Sequence, residues 1–430
     1  MMRTMRDSGI EWIGEIPITW DARRTKELFG TLSGNGLSTD LQADDGIPFY
    51  KAGDISACDK FLEVAKSFVD FSIAEKRSFN IIPAMSIVFA KIGEAMKKNS
   101  RAITTIECCI DNNCQALIPK SIDLGFAYYL LLCIDMRWFD NAGTLPCVSV
   151  YKLMQSLMPY PPLAEQKKIA DFLDGKCAEI DELVQTEEKM IEELKAYKQS
   201  VITEAVTKGL NPSAPMKDSG IEWIGKIPAS WEVKKLKQFC DGALKYGANA
   251  NGIAYRTDLA RYVRITDILD NRLRDDILKQ SLPNEIANDY ILQDNDILFA
   301  RSGGTVGKTF IFDASKYGKC AFAGYLIRAR ISAENIAKYV YYYTLSTCYN
   351  EWKNRIFIQS TIQNIGASKY SMLDITAPSL DEQKQIADYL DEECAKIDEI
   401  IALRNEQINQ LKDYKKSLIY EYVTGKKEVV

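Results

Sequence analysis

The densest grouping of chemistry-bearing residues is Ala300-Arg-Ser-Gly-Gly-Thr-Val-Gly-Lys-Thr309, in which Arg301 and Lys308 flank a glycine-rich turn beginning at Ser302. Its end reads like a phosphate-cradling P-loop, but that pattern needs glycine five positions ahead of Gly307, where Ser302 stands. The stretch fits better as a loop that lays backbone N–H groups and two cations against a nucleic-acid backbone; a plain tight hairpin is the alternative. In the first half of the chain Lys91, Lys97, Lys98 and Arg101 surround Gly93 at a matching place. That loop lacks the Arg-Ser-Gly-Gly pattern and carries Glu94 where a phosphate would approach.

Further candidates for DNA contact are Lys51, Arg264, Arg328 and Arg330, because Lys and Arg pair with phosphates and read guanine edges, and Gln363 and Asn364, because carboxamides read adenine. The tyrosine-rich run Tyr339 to Tyr343 offers stacking surfaces, but its helical spacing and its apolar counterpart, Tyr128 to Ile134, favour core packing. No candidate catalytic centre accompanies these residues. The chain has no histidine, which excludes Ser-His-Asp and Cys-His catalysis within it and leaves little for a zinc site. No Asn/Asp-Pro-Pro-aromatic motif of a methyltransferase is present, and no nuclease-like grouping of carboxylates and lysine. The eleven cysteines show no C-x-x-C spacing and include the adjacent pair Cys108 and Cys109, so they read as free thiols. The residue types point to recognition without reaction.

The elements that must position these residues are written twice. Asp7 to Trp20, DSGIEWIGEIPITW, returns at Asp218 to Trp231 as DSGIEWIGKIPASW, identical at eleven of fourteen positions. Glu165 to Lys208 returns at Glu382 to Gly425, shifted by 217 residues. Between them, Ser86 to Lys91 answers Asp296 to Arg301, and Phe126 to Phe139 answers Ala337 to Trp352. The ends of the repeats agree and the middles diverge, which suggests a common scaffold carrying two readers of different things.

The repeated C-terminal stretches have apolar residues every three or four positions and no proline, which predicts two long helices of roughly 65 Å each. A heptad frame places Ile169, Lys176, Leu183, Met190 and Tyr197 at a, and Leu173, Ile180, Glu187, Leu194 and Val201 at d. Two matching seams in one chain predict an antiparallel pair. The middle regions, with short β-type runs punctuated by Gly, Asn and Asp, predict compact α+β domains, and Lys208 to Pro215 is the clearest linker.

Length and charge fit this plan. With 430 residues, 47% of them hydrophobic, the chain holds two or three domains. Its net charge of −5 conceals a division: residues 163–207 carry 6 Lys and Arg against 11 Asp and Glu, whereas 233–379 carry 20 against 14. The helices are acidic, and the second middle region is basic. The longest apolar run, Phe126 to Ile134, is too short to cross a bilayer, and the N-terminus has no apolar signal region, so a cytoplasmic protein without membrane contact is expected.

The doubled SGIEWIGxIPxxW opening, the helix entries PPLAEQKKIADFLD and PSLDEQKQIADYLD, the IDELV and IDEII segments and DILFARSGGTVGK together resemble the specificity subunit of Type I restriction-modification systems over essentially the whole chain. The resemblance implies an α+β protein in which two pseudo-twofold-related α/β target-recognition domains are separated by two antiparallel coiled-coil spacer helices. The expected divisions are 1–162, the opening segment with the first domain; 163–209, the central spacer helix; 210–379, the repeated segment with the second domain; and 380–430, the C-terminal spacer helix. Each domain would read one half of a bipartite, asymmetric site in double-stranded DNA, and the helices would set the unread gap and dock partners. Those partners would be two modification subunits, forming an adenine-N6 methyltransferase, and two ATP-dependent restriction subunits. S-adenosylmethionine, ATP and Mg would belong to them, with no cofactor or catalytic residue in this chain. Two rival readings stand beside it: a scaffold or decoy that binds modification subunits without reading DNA, and a free-standing nucleotide-binding enzyme using Gly303 to Lys308.

Overall fold

A computed structural model describes residues 3–141, 143, 146–269, 271–358 and 364–429. The chain forms two compact units, Met1–Glu187 with Glu406–Val430, and Glu188–Asn405. Both long helices predicted from sequence are present, Leu163–Lys208 (hereafter α1) and Leu380–Val423 (α2), and each unit takes a part of both. No helix among the described residues is long and apolar enough to cross a membrane.

In the first unit a five-stranded sheet contains Phe29–Ser33 (β1), Ile87–Ala90 (β2), Ala102–Thr104 (β3) and Cys114–Pro119 (β4) in the order β1-β4-β2-β3, with Phe61–Leu62 at the edge. In the second unit Lys245–Tyr246 (β5), Ile297–Ala300 (β6), Thr309–Ile311 (β7) and Leu326–Ala329 (β8) repeat that order as β5-β8-β6-β7. The registers correspond as well: Val88 faces Ala116 where Leu298 faces Arg328, and Gln115 faces Ser33 where Ile327 faces Tyr246. β2 and β6 are apolar at every position and buried at every position, as central strands must be. A second sheet, of four strands, accompanies it in each domain. The helix Ala337–Tyr343 buries all its tyrosines, so that run is core.

The repeated sequence segments form a repeated joint. The indole Nε1 of Trp20 donates to Glu165 Oε2 at 3.0 Å, and that of Trp231 to Glu382 Oε1 at 3.2 Å. The next residue is a buried glutamine in both copies. Gln166 accepts from Asp123 N (2.8 Å) and donates to Pro161 O (2.8 Å); Gln383 accepts from Ile336 N (2.9 Å) and donates to Pro378 O (3.2 Å). One turn pair further on, Tyr129 donates to Asp174 and Tyr342 to Asp391. The Glu-Gln pair heading each helix therefore satisfies indole and backbone groups that burial would otherwise leave unpaired.

Within each unit the helix segments run antiparallel. Phe172 packs on Tyr422 at 4.5 Å and Asp181 pairs with Lys415 (2.6 Å) in the first unit; Lys198 pairs with Asp398 (2.6 Å) in the second. The heptad frame does not describe the seam. Leu183 and Tyr197, expected at a, are 53% and 57% exposed. The buried row is Ile169, Ile180, Ile191 and Ile202 on α1, and Ile386, Ile397, Ile408 and Ile419 on α2, spaced by eleven residues. A strict seven-residue repeat drifts by about 20° per heptad on a straight α-helix, whereas eleven residues come to about 3.67 per turn and stay on one side without left-handed supercoiling.

Candidate nucleic-acid interface

β6 leaves the core at Arg301 and turns at once. Gly303 has φ +76° and Gly307 φ +81°, conformations that glycine adopts without strain. Between them Val306 is buried and holds the turn down. A Cβ on Gly307 would stand 2.2 Å from Lys353 Cδ and would push that side chain aside. The buried hydroxyls of Tyr370 and Tyr349 donate to Ala300 O and Gly307 O, each at 2.8 Å, fixing the turn from beneath. Val306 N, Gly307 N and Lys308 N bond to the carbonyls of Gly303, Ala300 and Thr305. These N–H groups are committed within the turn, so they form no phosphate nest of the Walker kind.

Around the turn the structure gathers residues distant in sequence. Ser302 bridges to Asn364, and Ile365 N donates to Arg301 O at 2.9 Å. The Arg301 guanidinium lies over the Tyr246 ring at 4.8 Å. Lys308 is exposed and unpaired among the described residues. Arg328, on the neighbouring β8, is buried next to Phe322, and burial lowers its pKa from the usual arginine value. The expected loop of Arg301, Ser302 and Lys308 and the separately expected Asn364 are therefore brought together, with Arg328 on the supporting sheet. Gln363 lies outside the described residues.

The first domain enters its turn in the same way with different residues and then continues as a short helix, Gly93–Lys97. β2 ends at Ala90, Lys91 follows it, Gly93 has φ +70°, Val148 N donates to Lys91 O at 2.8 Å, and Ile92 bridges to Cys147. Lys98 is exposed and unpaired among the described residues, in the connection between β2 and β3 as Lys308 is in the shorter connection between β6 and β7. Lys97 pairs with Glu94 at 2.6 Å. Lys91 is half-buried, donating to Ser33 Oγ and Gln115 Oε1, and burial lowers its pKa. Lys51 donates to Gln42 Oε1 at 3.3 Å.

Three expected contacts are corrected by tertiary structure. Arg101 is buried, with its NH groups on Ser100 O, Asn99 Oδ1 and Ile134 O, and burial brings its pKa down to about 9. Arg264 forks onto buried Asp267, with Nη2 at 2.8 Å from Oδ1, and also donates to Leu278 O at 2.9 Å. Arg330 grips buried Asp296 through two bonds of 2.9 and 2.8 Å. Each cation neutralises or ties an internal group and has few donors left for a ligand.

Sequence reasoning missed Tyr246. Its signal was available only through strand register, which places it where Ser33 sits in the other domain.

A family model described as the Type I restriction modification DNA specificity domain matches residues 17–196 and 228–413. The chain is 25% identical over 447 residues to the putative type I restriction enzyme MjaX specificity subunit of Methanocaldococcus jannaschii, covering 96% of this chain and 95% of that protein. It is 27% identical over 311 residues to the MjaVIII specificity subunit of the same organism (71% and 70% covered), and 24% identical over 402 residues to the EcoKI specificity subunit of Escherichia coli K12 (89% and 82%). A solved structure described as "Structural basis underlying complex assembly and conformational transition of the type I R-M system" shares the fold with a TM-score of 0.70 at 15% identity, over 95% of this chain and 99% of the other.

Proposed function

This chain belongs to the Type I restriction-modification DNA specificity family, and from that premise we propose that it is the non-catalytic subunit that gives such a complex its sequence preference. Each domain reads one half of a bipartite, asymmetric site. The acidic long helices dock two modification subunits and set the unread gap, and two restriction subunits complete the assembly. Adenine methylation with S-adenosylmethionine, and ATP- and Mg-dependent cleavage, take place on those partners.

The observation that carries the proposal is the doubled turn. A cation followed two residues later by a positive-φ glycine leaves the central strand of both domains, and a lysine that is exposed and unpaired among the described residues, Lys98 or Lys308, follows in each. One such turn is ordinary surface; two that leave equivalent strands in the same way and then diverge suit two readers of different half-sites.

The test is to co-express the chain with its neighbouring modification gene and map methylated adenines on genomic DNA by long-read sequencing. A bipartite motif with a fixed gap that disappears when this chain is deleted is expected. Methylation that is absent or indifferent to the deletion overturns the reading in favour of the decoy.

Two predictions accompany it. Lys308→Ala weakens DNA binding by the assembled complex uniformly across sequences and reduces the slope of log K against log salt by about 1, as loss of one phosphate contact requires. An unchanged slope in a KCl titration removes Lys308 from the backbone contacts. Four residues inserted in α1 ahead of Gly209, about one helical turn, lengthen the gap in the methylated motif. A motif with its original gap rejects the helices as its determinant.

A further inference from the structure

The two domains treat the cation at the turn in opposite ways. In the first, Lys91 is enclosed in a polar network: its ammonium donates to Ser33 and Gln115, Gln115 Nε2 donates to Thr31 Oγ1 at 2.7 Å, and Thr31 Oγ1 donates to Ala116 O at 3.0 Å. In the second, register replaces Lys91 by Arg301, Ser33 by Tyr246 and Gln115 by Ile327, so the acceptors vanish. Arg301 makes no side-chain hydrogen bond or ion pair among the described residues, and its Nε is buried without a partner.

The arginine is nevertheless held. Its guanidinium lies on Tyr246, whose hydroxyl accepts from Ala367 N at 2.9 Å, and a Cβ on Gly366 would come within 3.1 Å of that hydroxyl. A stacked guanidinium keeps its planar fork of donors while losing rotamer freedom, and so favours a ligand with two coplanar acceptors. Phosphate and the O6/N7 edge of guanine both qualify. The neighbouring Asn364 favours the base edge. Its backbone bridges to Ser302 next to Arg301, and its Oδ1 is buried and unpaired among the described residues. That oxygen needs a donor; a phosphate offers none, whereas the N4 amine of cytosine or N6 of adenine does.

We propose that Arg301 and Asn364 are base-reading residues of the second domain, Arg301 taking a guanine edge and Asn364 the amine of the same or the adjoining base pair. The first domain, with its cation enclosed, reads its half-site without that arginine–guanine contact. The inference rests on the DNA-reading function proposed above.

The experiment uses the full co-expressed complex carrying Arg301→Lys or Asn364→Ala, with methylated motifs mapped by long-read sequencing and affinity measured on the wild-type motif duplex and its single-mismatch variants. Lysine keeps the charge but loses the bidentate fork. Arg301→Lys is expected to relax one guanine position in one half-site, cutting discrimination there by about tenfold to a hundredfold, with the other half and the gap unchanged. Asn364→Ala relaxes the same or the adjacent position. A motif unchanged in both variants, or affinity lowered equally on every duplex, overturns the assignment while leaving the specificity-subunit reading intact. A wild-type complex without a bipartite motif removes that reading and this inference together. Unchanged thermal unfolding and subunit assembly in the Arg301→Lys complex separate lost readout from lost folding.

Discussion

Arg330→Ala is expected to destabilise the second domain by about 3–5 kcal/mol, the range for removing one partner of a buried ion pair. Asp296 is buried at the start of β6, where its carboxylate accepts two bonds from Arg330, at 2.9 and 2.8 Å, and one from Gln293 N at 2.8 Å. Without the guanidinium, that carboxylate keeps its desolvation cost and loses most of its compensation. The bond to Asp296 also raises the Arg330 pKa above the usual arginine value, so the guanidinium keeps its charge. Arg301→Ala supplies the contrast. It gives up a stacking contact worth about 0.5–1 kcal/mol and no hydrogen bond among the described residues, so it should unfold nearly as the wild type does while losing DNA discrimination. Denaturant unfolding of both variants checks the pair of statements. A loss below 1 kcal/mol for Arg330→Ala would return that residue to the candidate DNA contacts.

Trp231→Ala carries the second large effect, about 3–5 kcal/mol from the lost burial and the cavity left behind. The indole is almost completely buried in a core that also contains Ile202, Ala205 and Val206 of α1 and Ile386 and Leu390 of α2. Its ring meets Gly209, where an added Cβ would lie 3.0 Å from Cζ2, and its Nε1 reaches Glu382 at 3.2 Å. One side chain thus joins the last turn of α1 to the first turn of α2. Trp231→Phe keeps most of the apolar contact and loses the indole bond, so about 1–2 kcal/mol is expected. Because a protein of several domains need not unfold in one step, the measurement is local: amide hydrogen exchange at residues 202–209 and 380–390. Protection there that survives Trp231→Ala would show that the joint is held by something else. Trp20 and Gly425 form the corresponding contact in the first unit, where a Cβ on the glycine would come within 3.0 Å of the Trp20 ring.

The sequence by itself determined the doubled plan, the two long helices, the buried tyrosine run and the absence of a histidine-based centre. These follow from identity, composition and local periodicity, which one reads along the chain. The eleven-residue spacing of isoleucines was also legible there; a heptad frame obscured it because three- and four-residue steps satisfy both periods over two turns and separate only over the full helix. What only the tertiary structure decided was which cations remain available. Arg328, Arg330, Arg264 and Arg301 look alike in sequence, yet one is buried in the sheet, two are tied to Asp296 and Asp267, and the last rests on Tyr246, 55 positions away. An arginine is a ligand contact or a structural counterion according to the acceptors that folding brings beside it. Asp296 comes beside Arg330 and Tyr246 beneath Arg301 by long-range folding, whereas Asp267 reaches Arg264 across one local turn, so the charge is written in the sequence and its use is settled by the fold.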